Sequence, residues 1–473
     1  MNGSNLLLIG GSFTSNRGNL YYLSAWDGSK WDSIGDTNGP VNAFAINGSE
    51  NLFIGGSFTM SGGGTACTNN VAQLSTTRSS PTSPNWKIVG NGISYDVYAL
   101  TMNGTNQLFV GGTFSSVGGS SVFAYHIASW DGNSWNFLGT NSTNNGVNGI
   151  VYSLAMNGTS NLFVGGYFSS VDGGSISANN IASWNGNSWN ILGKNSTNNG
   201  INISGQINAL AMNGTNQLFV GGLFSIVDGS ILANNIATWD GNSWNILGTN
   251  STNNGIGSIV YSLVMNGTNQ LFVGGSFSSV DGGSILANKI SSWNGNSWNI
   301  LGTNSTHNGV DNIVYSLAMN GTNNLFVGGE FSSVDGGSIL ANNIASWNGS
   351  FWNFLGTNST SNGVDTIVYT IAMNGTNQLF VGGSFTRAGG SLISAKNIAS
   401  WDGNSWYSFG SGSDNDIHAL AINSTNSIFV GGFFSFSPDG FCTPYLMKGR
   451  LCYFDFQRNA HLRFFFLLLK GLL

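Results

Sequence analysis

The sequence predicts an all-β fold, a closed β-propeller of about eight four-stranded antiparallel blades. Three observations carry that prediction: a repeated glycine pair, a regular series of hairpin turns, and a fixed slot for tryptophan. Gly-Gly-x-Phe occurs nine times, starting at Gly10, Gly55, Gly111, Gly165, Gly221, Gly274, Gly328, Gly382 and Gly431. The steps between copies are 45, 56, 54, 56, 53, 54, 54 and 49 residues. A recurrence of this length marks a repeat architecture, in which each unit buries its apolar face against its neighbours.

The unit from Ile150 to Gly200 shows the order of elements. Ile150 to Met156 is rich in β-formers and reads as a first strand. Asn157-Gly-Thr-Ser is a short turn, and Leu162 to Phe168 is a second strand containing the glycine pair. A longer loop, 169–180, carries Val171-Asp172-Gly-Gly. Ile181 to Trp184 and Trp189 to Gly193 are the third and fourth strands, joined by Asn185-Gly-Asn-Ser. Asn-Gly and Asp-Gly between apolar runs are strong hairpin signals, because these residues tolerate positive φ. No helical period is sustained, and proline is nearly absent. Four short antiparallel strands per unit describe a propeller blade.

All fifteen tryptophans fall around the third turn of their units. Seven units carry Trp-x4-Trp, as in Trp184/Trp189 and Trp293/Trp298; the unit after Gly55 keeps only Trp86. Rings repeated in every unit are expected to pack between blades, rather than to form exposed platforms for sugars. The glycine pair is expected where neighbouring blades crowd together, since glycine weakens a strand unless a backbone must come close. A phosphate-cradling role does not fit, because no helix or Lys-Ser/Thr follows.

The run Leu-Phe-Val-Gly-Gly-Ser-Phe with Ile398 to Trp406 (Ile-Ala-Ser-Trp-Asp-Gly-Asn-Ser-Trp) resembles the kelch repeat. It is similar also to repeats of galactose oxidase-like propellers and of fungal cortical polarity-marker proteins. The resemblance covers residues 5 to about 436 and implies a β-propeller. Two features depart from it. The third-strand aromatic is Trp rather than the usual Tyr, and the repeat is slightly long.

The first unit lacks a first strand, which Ile417 to Ile422 can supply by joining the two ends of the chain and removing exposed edges. That gives eight blades, with one Gly-Gly strand (Ser427 to Phe434 or Asn5 to Phe13) in surplus and a ninth unit as the alternative. The expected division is a propeller over 1–436 and an atypical tail over 437–473, which holds five of the thirteen Lys and Arg residues.

Composition narrows the function. Of 473 residues, 41% are apolar and only 7% charged, so Asn, Ser, Thr and Gly must supply the polar surface. The net charge of −6, with no basic stripe in the repeats, argues against nucleic acid. Cys67, Cys442 and Cys452 form no ligand cluster, so neither a metal nor a cofactor is expected. The apolar run Phe464 to Leu469 is too short to span a bilayer. The chain begins inside a repeat, with no secretory leader in view, which reads as cytoplasmic, or as extracellular if the start is truncated. A monomer is expected.

Binding is expected on the face formed by the longer loops and at the mouth of the central channel. The variable x of Gly-Gly-x-Phe, notably Tyr167, Leu223 and Glu330, is a candidate contact. Asp172, Asp228, Asp281 and Asp335 recur in Val-Asp-Gly; a cation ring is conceivable, but turn formation suits one aspartate per blade better. Sequons recur at Asn103, Asn157, Asn213, Asn266, Asn320 and Asn374, and again at Asn141, Asn195, Asn250, Asn304 and Asn358. His126, His307, His418 and His461 occupy unrelated positions, and no nucleophile-base set can be assembled. The expected function is a non-catalytic scaffold for a protein or glycan ligand. The alternatives are a truncated cell-surface adhesin and a carbohydrate-active enzyme.

Overall fold

The computed structural model describes 85–408 with short breaks at 104–106, 141–144, 159–160, 195–198, 203, 215–216, 250–253, 268–269, 304–307, 322–323, 375–377, 391. It also describes 7–10, 23–26, 31–33, 41–47, 51–58, 60–61, 66–67, 70–75, 416–422 and 428–432. The proposed tail, 437–473, lies outside the described residues.

In the unit 150–191 the β-branched and aromatic run forms the inner strand Ile150–Asn157. It pairs antiparallel with Asn161–Tyr167, which pairs with Ile181–Trp184, which pairs with Trp189–Ile191. The last turn is closed by Asn185, whose Oδ1 accepts from the amides of Asn187 (2.9 Å) and Ser188 (2.8 Å), while Gly186 takes φ 95°. Asp131, Asp240 and Asp402 do the same in their own blades, which explains the Asp/Asn-Gly-Asn-Ser pattern.

The same four-strand order recurs at 41–88, 97–137, 206–245, 260–299, 314–354 and 368–408. Numbering these sheets along the chain gives blade 1 (41–88) to blade 7 (368–408), with 150–191 as blade 3. Blade 8 joins the two ends of the chain. Its inner strand Ile417–Ile422 pairs with Ile428–Gly432, and Leu23–Trp26 and Trp31–Ser33 form its outer half. Both Gly-Gly copies enter this sheet. Leu7–Gly10 lies parallel to Ile428–Gly432 and antiparallel to Leu23–Trp26. The surplus strand therefore opens no ninth blade. It makes blade 8 five-stranded. Each inner strand packs on the next, and Ile417–Ile422 packs on both Val368–Asn374 and Val41–Asn47, so the ring closes at eight.

Apolar clusters straddle blade boundaries. Phe163, Ile181 and Leu192 of blade 3 pack with Ile207, Leu218, Val220, Trp239 and Trp244 of blade 4. The glycine pair divides its work between two neighbours. A Cβ on Gly165 would lie 2.7 Å from Cγ2 of Ile207 on blade 4, and one on Gly166 would strike the Ile150 carbonyl of its own inner strand. The first glycine lets two blades approach; the second lets two strands of one blade do so.

The paired tryptophans of blades 2 to 7 are buried, with exposures of 3–8%. Their rings sit 5.4–5.5 Å apart at tilted angles. The second ring of each pair reaches the preceding blade: Trp189 Nε1 donates to the Leu138 carbonyl (2.8 Å) and Trp298 Nε1 to that of Leu247 (2.9 Å). Trp135, Trp244, Trp352 and Trp406 repeat the bond. These buried faces leave no platform for a sugar.

Two outcomes are expected. Trp298→Phe removes the bond to the Leu247 carbonyl, which keeps the Gly255 amide (2.9 Å), and leaves a gap where the larger indole packed, so urea unfolding should show a loss of about 1–3 kcal/mol. Gly166→Ala presses on backbone that cannot rotate away, and its loss in the same assay should be at least as large, of order 1–3 kcal/mol or more.

Candidate functional site

Antiparallel order within each blade sorts the connections onto two faces. The tight turns share one face. The loops between second and third strands, and those between blades, share the other. On this long-loop face each second-to-third loop folds into a small hairpin, such as Ser170–Val171 with Ile176–Ser177. A bridge ties the hairpin to the segment entering the blade, as in Val147 with Val171 and Ile256 with Val280.

The four aspartates lie in these loops and fasten one blade to the next. Asp172 accepts from the Thr140 amide (2.8 Å) and hydroxyl (2.7 Å), just beyond the outer strand of blade 2. Asp281 holds Thr249, and Asp335 holds Thr303, with the same two distances. The Asp228 carboxylate receives, among the described residues, the Lys194 amide (2.9 Å). All four adopt positive φ, 49–52°, a conformation that aspartate tolerates better than most residues. Asp172, Asp228 and Asp281 are buried. For Asp281, burial works to raise the carboxyl, but the hydrogen bonds from Thr249 and Ser284 outweigh it and hold the group below the usual carboxylate range. The four are set blades apart, and among the described residues no three His, Cys, Asp or Glu side chains gather as a metal site.

The x positions stand at the long-loop end of each second strand. Tyr167 is 51% and Leu223 45% exposed, and Glu330 is half-buried. The x amide is bonded to the segment entering the inner strand: Thr113 to the Asp96 carbonyl (2.9 Å), Glu330 to that of Ile313 (2.9 Å). This pairing sets the x side chain beside a residue that the sequence reading overlooked. Every inner strand has a register shift near its start, at Val97/Ala99, Val151/Ser153 and their equivalents. The residue inside the shift is Tyr98, Tyr152, Tyr261, Tyr315 or Tyr369 in five blades. A bulge re-aims its side chain and breaks the alternation of the strand.

These tyrosines form a belt around the central opening. Tyr98 stacks on Tyr152 (6.1 Å), and Tyr315 lies between Tyr261 (5.8 Å) and Tyr369 (5.9 Å). Where Asn takes the slot, it bonds the next blade instead: Asn42 to the Val97 carbonyl (3.2 Å), Asn208 to that of Val260 (3.0 Å). The signal was available in the sequence, since five of thirteen tyrosines share this slot. Burial pushes Tyr98 up to about 12, with Asp96 adding to it. Burial and the Glu330 carboxylate raise Tyr315; burial, Asp416 and Glu330 raise Tyr369. The belt is therefore a set of neutral phenols interrupted at Asn42, Asn208 and His418, with carboxylates at Asp96, Glu330 and Asp416.

Further out, the long-loop face carries exposed apolar side chains: Tyr95, Phe123, Leu232, Leu286, Leu340 and Leu392, in addition to Tyr167 and Leu223. The other large exposed apolar residues among those described are Phe351, in a tight turn, and Tyr407, on an outer strand. On the opposite side, a cleft of about 670 Å³ between blades 3 and 4 is lined by Asn157, Asn185, Trp239, Asp240 and Asn242. Asn185 and Asp240 already cap their own turns there, and Trp239 is buried.

Among the sequons, Asn103, Asn213 and Asn320 are buried, and each caps its turn by accepting an amide four residues on. Asn358 is exposed; Asn141, Asn195, Asn250 and Asn304 lie outside the described residues. His126 sits at positive φ with a buried Nδ1 that has no hydrogen-bond partner, and burial lowers its pKa. His307 and His461 lie outside the described residues.

No family model and no curated protein matches this chain. Among solved structures it is similar to the WD40 β-propeller domain of Doa1, with 10% identity, 75% of this chain and 91% of that chain covered, and a TM-score of 0.39. It is similar also to YCF48 bound to D1 peptide (12%, 79% and 93%, 0.40) and to the WD40 repeats of RRP9 (11%, 76% and 93%, 0.41). At this level of likeness the propeller rests on the strand pairing of the chain itself. No helix among the described residues is long and apolar enough to cross a membrane.

The aspartate latch has a pH signature. A carboxyl held below its unfolded value of about 3.9 adds stability above that pH and loses it as the pH falls through the folded value. Asp281→Asn should therefore lower the urea midpoint at pH 7, and its difference from the wild type should shrink as the pH falls below about 4.

Proposed function

We propose that this chain is a non-catalytic, kelch-like propeller that docks another protein on its long-loop face. One observation carries the reading. Large exposed apolar side chains concentrate on that face, on rigid hairpins that are bridged and hydrogen-bonded to their own blades. Scattered exposed leucines need no explanation, but a set gathered on one face suits an interface. Aromatic residues among them, Tyr95, Phe123 and Tyr167, are the kind that anchor interfaces. The kelch assignment is supported by the order of strands, glycine pair and aromatic-Asp/Asn-Gly turn.

The buried sequons of the first turn favour asparagine as a turn-former there, and with it a cytoplasmic setting over an adhesin. A carbohydrate-active enzyme would draw on Glu330, the half-buried acid beside Tyr315 and Tyr369. Turnover on a glycan panel that Glu330→Gln abolishes would favour the enzyme over the scaffold.

The docking reading is tested by affinity capture with two variants. Leu232→Glu/Leu286→Glu/Leu340→Glu places charges on the long-loop face, and Phe351→Ser alters the tight-turn face. Partners should be lost by at least about tenfold with the first and retained with the second. The reverse pattern, or equal retention, removes the proposal.

A further inference from the structure

The cleft of about 670 Å³ between blades 3 and 4 carries hydrogen-bonding groups that the fold leaves unused. Register sets its blade-3 wall. Phe163 lies opposite Ser183, and Ser183 opposite Asn190, so the three share one side of the sheet; Asn161, two residues before Phe163, shares it too. The other wall is the tight turn of blade 4, with Trp239, Asp240 and Asn242.

The slot of Asn161 holds glutamine in blades 2, 4, 5 and 7. In two of these the longer side chain reaches the third strand: Gln107 Nε2 donates to the Ser129 hydroxyl (3.1 Å), and Gln270 Nε2 to that of Ser292 (3.3 Å). Asn161 is one methylene shorter and makes no bond to Ser183. Neither side chain has a hydrogen-bond partner among the described residues, and both are half-buried where they line the cleft. Asn242 adds an exposed side-chain amide, also without a partner, from the facing turn.

We infer that this cleft seats a neutral, hydroxyl-rich ring, a pyranose sugar, between Asn161 and Ser183 on one wall and Asn242 on the other. Its volume falls within the range of about 300–1,000 Å³ usual for small-ligand sites. Amide and hydroxyl side chains both donate and accept, which matches the dual character of a sugar hydroxyl. No Lys, Arg or His is among the described residues that line the cleft, so an anion would meet the Asp240 charge uncompensated. A cation finds no acceptor in that carboxylate. Asp240 Oδ1 already accepts the Asn242 and Ser243 amides (2.9 and 2.8 Å), and Oδ2 the Ser243 hydroxyl and the Asn245 side chain (3.0 Å each), which fills the roughly four lone-pair sites of the group. The two backbone amides hold Asp240 down at about 2, so its charge belongs to the turn. The sugar is held at its hydroxyls rather than stacked, because the Trp239 ring is buried. This seat lies away from the long-loop face and does not rest on the docking reading.

The test uses the full chain with indole-15N tryptophan, titrated with methyl β-glucopyranoside, methyl α-mannopyranoside, glucuronate and n-butylammonium while the NMR signal of Trp239 is followed. Saturable shifts with at least one neutral glycoside, and none with the two charged probes, are expected. Asn161→Gln installs the side chain that bonds serine in blades 2 and 5, so it should fold, close the cleft and weaken the glycoside by at least about tenfold. Ser183→Ala should weaken it by about threefold to tenfold, as loss of one neutral hydrogen bond would. Unchanged signals of Trp135 and Trp406, in blades 2 and 7, check that both variants fold. No shift with either glycoside, equal shifts with glucuronate or butylammonium, or an affinity untouched by Asn161→Gln would each overturn the assignment. Capture on the long-loop face should be indifferent to Asn161→Gln, so the sugar seat and the docking reading fail separately.

Discussion

Contact between neighbouring blades is the constraint on which this molecule depends. A radial sheet is apolar on both faces, and each face is covered only when the next blade comes close. The approach is made possible by Gly165 and its equivalents, which leave room for the inner-strand Ile207 or Val260 of the following blade. It is fixed at the periphery by indole nitrogens that reach back to the preceding blade, and on the long-loop face by Asp172, Asp281 and Asp335. The three devices act at different places: between inner strands, between outer strands, and between loops of the long-loop face.

That rigidity has a functional consequence. Hairpins held by bridges and side-chain hydrogen bonds lose little conformational freedom when a partner binds, which favours affinity. The repeat keeps its buried slots nearly constant while the x position ranges over Thr113, Tyr167, Leu223, Ser276, Glu330 and Ser384. Variation confined to the rim of the central opening gives each blade a different chemistry on one shared scaffold.

The closing blade follows from the same interactions. Leu7–Gly10 keeps the register to Leu23–Trp26 that second strands keep to third strands elsewhere, and Ile428–Gly432 keeps the usual register to Ile417–Ile422. Each half is satisfied by its own partner, so the two copies meet in parallel and neither is displaced.

Repetition made most of the fold legible without coordinates. The period, the four strands, the turns at Asn185 and Asp240, and the crowding at the glycine pair all follow from local chemistry repeated in register. The exposure of Tyr167 and Leu223 was also readable, as variation between invariant flanks. The tyrosine belt left a trace, five tyrosines in one slot, but their stacking across blades was not readable, because the bulge at Tyr98 and Tyr152 interrupts a strand whose sequence looks continuous. Nor was the work of the four aspartates: the Asp172 to Thr140 bond joins loops of two blades, and residues 32 apart meet only once the ring has formed. The sequence alone determined what one blade is. The tertiary structure decided which side chains face one another across blades, since that depends on ring closure and on strand register, and neither is written in any single repeat.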